Sequence, residues 1–203
     1  NATIGHGLGV APTFVIIKRL TGAGYNPTVG VNAGDLNFSK RANLDTTGAF
    51  AASSTFFQDT NPSPTVITLG SNSNVNASSV PHVCYAFAPS QFISIGSYEG
   101  NANADGTFVP TLNSLGVPIQ PLWSLSKKSS STSSWFVVDA ERPGYNPTDY
   151  LLANTNLVEN PANVMDLVTG GLKMRIATDP NLSATYVYMA IGTPIIDVDG
   201  RII

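Results

Sequence analysis

The run His82-Val83-Cys84-Tyr85-Ala86-Phe87 returns a hundred residues later as Tyr186-Val187-Tyr188-Met189-Ala190-Ile191. Each run is short, apolar, rich in aromatic and β-branched residues and fenced by turn formers, which is how a buried strand reads. What precedes them also matches. Leu69-Gly70-Ser71-Asn72-Ser73-Asn74-Val75-Asn76-Ala77-Ser78 stands against Ile176-Ala177-Thr178-Asp179-Pro180-Asn181-Leu182-Ser183-Ala184-Thr185, in both cases a strand running into an Asn-rich turn.

Working outward, Leu8-Gly9-Val10-Ala11-Pro12 answers to Leu115-Gly116-Val117-Pro118. The strand that follows ends in a basic pair both times, as Ile16-Ile17-Lys18-Arg19 and Leu125-Ser126-Lys127-Lys128. A polar loop and a second strand come next, Val29-Gly30-Val31-Asn32-Ala33 against Phe136-Val137-Val138-Asp139-Ala140. Four blocks in one order read as a duplication of ~105 residues. The expected halves are residues 1–98 and 99–203, packed as one globular unit. The pentapeptide Gly-Tyr-Asn-Pro-Thr, at Gly24–Thr28 and again at Gly144–Thr148, falls outside this register and reads as a reused turn.

Further short apolar runs are predicted as strands at 13–20, 29–33, 65–69, 92–98, 122–127, 135–139, 149–153, 172–177 and 195–198. The fold class is therefore all-β, a β-sandwich or jelly-roll-like arrangement of two repeated halves. A jelly roll, two small sandwiches and an intertwined duplication all fit this strand spacing. One helical segment is predicted, from Pro161 to Val168, with Asn160 as its cap and Pro161 at the first helical position.

Charged residues make up 11% of the 203, and the formal net charge is -3. An average soluble domain carries about 25% charge, so the surface here is covered by Ser, Thr and Asn, with 18 Gly and 14 Pro to turn the chain. Phosphate-backbone binding needs clustered Lys and Arg, which argues against a nucleic-acid partner. Membrane insertion is not expected, because no apolar stretch approaches the ~20 residues of a spanning helix. The chain begins at Asn1 without an initiator Met or signal-peptide pattern, as a processed C-terminal part of a longer protein would.

The order of these motifs resembles a duplicated, uncharacterised β domain found near the C-terminal ends of tailed-bacteriophage tail fibres and tail-associated proteins. The resemblance runs from about residue 5 to 192. It is carried by Gly7-Leu8-Gly9-Val10-Ala11-Pro12-Thr13-Phe14-Val15-Ile16-Ile17-Lys18-Arg19, Tyr85-Ala86-Phe87-Ala88, Ile95-Gly96-Ser97-Tyr98-Glu99-Gly100-Asn101 and the second copy. The second copy departs from the pattern at Pro118-Ile119-Gln120-Pro121-Leu122-Trp123, which lengthens the approach to its strand. The resemblance implies an extracellular virion location in the phage tail, a homotrimer, contacts with other virion subunits and attachment to a host cell-surface glycan or protein. It supplies no binding residues.

No enzyme is expected. A Ser-His-Asp arrangement would have to use His6 or His82, and no Gly-x-Ser-x-Gly elbow is present. Glycoside cleavage needs two facing carboxylates, whereas most acids here sit beside Gly, Asn or Thr, where turn-making is their usual role. Cys84, the single cysteine, lies within an apolar run and reads as a small buried hydrophobe. Asn101-Ala102-Asn103-Ala104-Asp105-Gly106 opens like a calcium loop but has Leu112 where the bidentate Glu belongs, so a polar linker is preferred. No cofactor or metal is expected. Sugar recognition asks for an aromatic face beside amide, carboxylate and guanidinium groups. Tyr25, Asn26, Trp135, Asp139, Arg142, Tyr145 and Asn146 offer these on or near loops and form the candidate site, with Glu141 nearby.

Overall fold

The computed structural model describes residues 1–142 and 149–196. Strand accounts for 43% and helix for 4%, which makes the chain all-β. It divides into two compact units, Asn1–Ala88 and Pro89–Ile203.

The first unit has two sheets around one core. Strand β1 (Ala2–Gly5) pairs antiparallel with β6 (Val66–Leu69). The second sheet runs β5 (Ala51–Ala52), β4 (Lys40–Asn43), β3 (Thr28–Val31), β2 (Phe14–Arg19) and β7 (His82–Phe87), with β7 at its edge. Val15 and Ile17 from β2 meet Ile67 and Leu69 from β6, and Phe38, Phe56, Phe57 and Val75 complete the core. Gly30 is what lets the aromatics lie flat on β3. A Cβ there would stand 2.6 Å from the Phe38 ring and 2.8 Å from the Phe57 ring, which pack edge to face at 5.0 Å. Two single-turn helices, α1 (Ser54–Phe57) and α2 (Ser73–Asn76), come from Ser/Asn-rich turns. In α2 the Asn72 side chain accepts from the Asn74 N–H, the usual capping role of Asn.

The second unit also has two sheets. One runs β13 (Met165–Val168), β14 (Gly171–Met174), β9 (Phe108–Pro110), and the other β12 (Leu151–Leu152), β11 (Phe136–Asp139), β10 (Ile119–Lys128), β15 (Thr185–Pro194), β8 (Ile93–Glu99). Both face a core that includes Val109, Val138, Met165, Leu172, Met174, Tyr186 and Tyr188. The unit boundary falls before β8 rather than at 98/99, because β8 pairs along its whole length with β15, from Ile93 opposite Ile191 to Glu99 opposite Thr185. The extra residues in Pro118–Trp123 are absorbed by a bulge in β10 between Pro121 and Trp123.

The expected helix at 161–168 is not formed. Met165–Val168 is instead a strand hairpinned to β14 through Thr169 and Gly170, with Val168 opposite Gly171. Gly170 adopts φ +81, the positive value such a turn requires. Burying Met165 and Leu167 in the sheet core outweighs the local preference of the Asn-Pro start.

The central strands of the two units have the same neighbours. β2 lies between β3 and β7, and β10 lies between β11 and β15, antiparallel throughout. Arg19 faces His82 in the first unit and Lys128 faces Tyr186 in the second. On the other side Phe14 faces Val31 and Trp123 faces Asp139, one residue from the sequence alignment of β3 with β11.

Candidate functional site

In each unit the first lysine of the basic pair reaches forward to tie down the loop that follows its strand. Lys18 Nζ donates to the Tyr25 carbonyl, and Lys127 Nζ donates to the Ser133 carbonyl at 2.6 Å. The recurrence of Lys-Arg and Lys-Lys was visible in the sequence, but their role as loop clamps was not. An ammonium with three donors can hold a carbonyl that the turn leaves without a strand partner.

Tyr25 lies half-buried on the loop between β2 and β3. The Arg19 guanidinium covers its ring at 3.7 Å from the centroid, while Arg19 Nε donates to the Thr21 carbonyl at 2.8 Å. One face that a sugar would stack on is therefore taken by the protein's own cation. Asn26 follows at the same loop, half-buried.

Trp135, expected on or near a loop, lies where the loop meets β11, and its side chain is inside the protein. It has no solvent exposure, its backbone N–H donates to Asn154 Oδ1 at 2.8 Å, and Lys127 Nζ lies 5.5 Å from its ring centroid. Trp135 directly precedes β11, and Ser133 in the polar tract before it is buried as well. Burial also pushes Lys127 down to about 8.

Asp139 and Arg142 do come together, at the end of β11. Arg142 Nε is 2.9 Å from Asp139 Oδ2, and Arg142 Nη1 binds Glu159 Oε1. Burial opposes the guanidinium charge, but the two carboxylates outweigh it and raise its pKa. Asp139 Oδ1 also accepts from the Glu141 N–H at 3.2 Å. Glu159 is the partner the sequence did not single out, since it lies seventeen positions away. Tyr145 and Asn146 lie outside the described residues.

The Asn101–Gly106 loop is organised around a buried asparagine. Asn181 Nδ2 donates to Asn101 Oδ1 at 2.9 Å, to the Asn103 carbonyl at 2.8 Å and to the Ile176 carbonyl at 2.7 Å. Lys173 Nζ sits 2.7 Å from Asp105 Oδ1 and 2.6 Å from the Gly106 carbonyl, so an ammonium stands at the acidic end of the loop. The hydrogen bond from Lys173 and its charge hold the Asp105 carboxyl below its ordinary range.

The groups weighed for catalysis are similarly engaged. His6 Nδ1 accepts from the Leu8 N–H at 3.2 Å, which leaves Nε2 to donate to the Ser63 carbonyl at 3.0 Å. His82 Nδ1 contacts the Val80 carbonyl at 2.9 Å. Burial pushes the Cys84 thiol up to about 11, away from the thiolate a nucleophile requires. Among the described residues no group of three His, Cys, Asp or Glu side chains is placed to hold a metal ion, and no helix is long and apolar enough to cross a membrane.

The chain belongs to the family of the domain of unknown function DUF7483, whose model matches residues 1–193. No curated protein and no solved structure matches it.

Proposed function

We propose that this member of the family is a non-catalytic recognition module of a phage tail, built from two copies of one β unit, that attaches the virion to a host cell-surface glycan or protein. The observation that carries the binding part is the clamping of the loops after β2 and β10 by Lys18 and Lys127. Loops held in one shape before a ligand arrives lose less entropy on binding, and polar loops on a rigid scaffold are where recognition is concentrated. The common neighbours and register of β2 and β10 support the two-copy reading. The virion assignment and the trimer rest on the resemblance of the motif order to tail proteins.

A second reading, a structural part of the virion that contacts other subunits, is favoured by one specific observation. Trp135, Arg19 over Tyr25, and Arg142 between Asp139 and Glu159 are all engaged within the protein. The purified chain, added to a panel of bacterial cells before and after their surface glycans are stripped, separates the readings. Saturable binding lost on stripping, with no sugar released, is the expected result. Binding to none of the panel supports the structural reading, and release of sugar would mean that a carboxylate pair acts as a glycosidase.

A further inference from the structure

Strands β7 and β15 occupy the same place in their units, each beside the basic strand, but their outer edges differ. β15 carries β8 on that side, while β7 ends its sheet with β2 as its only strand partner among the described residues. The Leu20 N–H donates to the Pro81 carbonyl at 3.0 Å. In an antiparallel pair such bonded positions alternate, so the N–H and C=O groups of Cys84 and Ala86 are aimed away from β2.

The space that β8 fills in the second unit has a counterpart in the first. β8 turns Ser94 and Tyr98 inward, both buried, with Tyr98 stacked on Tyr186 at 5.0 Å and Ser94 Oγ 3.1 Å from the Tyr188 hydroxyl. In the first unit a groove of about 390 Å³ lies between the end of β1 at Ile4, Gly5 and His6 and the edge of β7 at Cys84 to Phe87. Tyr85 on that edge is 54% exposed. An uncovered strand edge with a groove beside it is the setting for strand addition.

We infer that the β7 edge is an acceptor for one more antiparallel strand, donated by an extended segment of a second polypeptide with the alternation of β8. The residue types follow from the register. Gly96 faces Tyr188 because a Cβ there would meet its ring at 3.0 Å. Cys84 is the residue of β7 that corresponds to Tyr188, and it is far smaller, so the donated strand carries a branched aliphatic residue where β8 has glycine. The inference concerns a face of the first unit and does not depend on what the loops bind.

Two capped peptides test this on the unaltered chain: the β8 sequence Ile93–Glu99, and the same sequence with Gly96→Val. Hydrogen exchange of the Cys84 and Ala86 amides is followed, with the β15 amides as control. The valine peptide is expected to protect both amides saturably and to bind about tenfold tighter than the glycine peptide. Ala86→Pro, which removes one outward donor, is expected to abolish that protection, and Cys84→Tyr to reverse the preference between the peptides. No protection at millimolar peptide, protection confined to β15, equal binding of the two peptides, or pairing of β7 with a second copy of the chain would each overturn the proposal.

Discussion

Lys127 donates to the Ser133 carbonyl at 2.6 Å from a side chain with no solvent exposure. A buried ammonium of this kind costs stability whenever it is charged, and burial brings its pKa to about 8. The ordinary value is ~10.4.

Between those two values the unfolded chain binds the proton and the folded chain has released it. Stability therefore rises as pH climbs through this window, by ~1–3 kcal/mol. Tyr98 and Tyr186, whose phenols burial pushes well above their ordinary range, act in the opposite sense. Their effect begins only above pH ~10, where unfolded tyrosine ionises. Urea unfolding followed by Trp123 and Trp135 fluorescence, which reports only the second unit, is expected to show this rise between pH 8 and 10. Lys127→Met is expected to flatten it, and an unchanged slope in that variant would place the titration elsewhere.

The Lys127 device also marks what the sequence could and could not reveal. Strands β2, β3, β7, β8, β11 and β15 were legible because each is a short apolar run fenced by turn residues, whereas the order in which they pair was not, since strand spacing fits several sheet arrangements. β13 was misread because a helical start at Asn160-Pro161 is a local signal, whereas the Thr169-Gly170 turn that pairs it with β14 acts across the sheet. β1, β4, β5 and β9 were missed, being four residues or fewer, too short for an alternating or apolar pattern to stand out. In the candidate site, Asp139 and Arg142 were legible as near neighbours, but Glu159 was not. Trp135 was legible as a residue at a loop-strand junction, but its full burial was not, because the contact of Lys127 Nζ with the Ser133 carbonyl beside it depends on tertiary structure.

Trp135→Ala is expected to cost about 3–5 kcal/mol, as for other large core side chains replaced by alanine. Trp135→Phe, which keeps the chain folded at low temperature, is expected to leave cell binding unchanged. Thermal unfolding together with the cell-binding assay checks both. Loss of binding in a folded Trp135→Phe chain would return the indole to the recognition surface.

Asn181→Asp removes a donor amide and turns a carboxylate toward the Asn101 side-chain oxygen and the Asn103 and Ile176 carbonyls. The expected loss is ~2–4 kcal/mol at pH 7. The introduced acid has its folded pKa raised, so its penalty relative to the natural chain is smallest below pH ~4 and grows as pH rises. Denaturant midpoints for both chains at pH 4 and pH 7 give the comparison, and a penalty independent of pH would mean the loop opens to water around the carboxylate.

Arg142 offers the cleanest separation of recognition from stability. It is held by two carboxylates at a partly exposed position, and ion pairs of this type contribute about 0–1 kcal/mol. Arg142→Gln is therefore expected to move the unfolding midpoint little. If the planar donors of Arg142 hold glycan hydroxyls or a carboxylate, cell binding weakens about tenfold in the same variant, the size of one charge-assisted hydrogen bond. Titrating folded Arg142→Gln chain against the cells that bind the natural protein measures that difference. Unchanged binding would remove the Asp139–Arg142–Glu159 cluster from the recognition surface and leave Tyr25 and Asn26 as the described candidates.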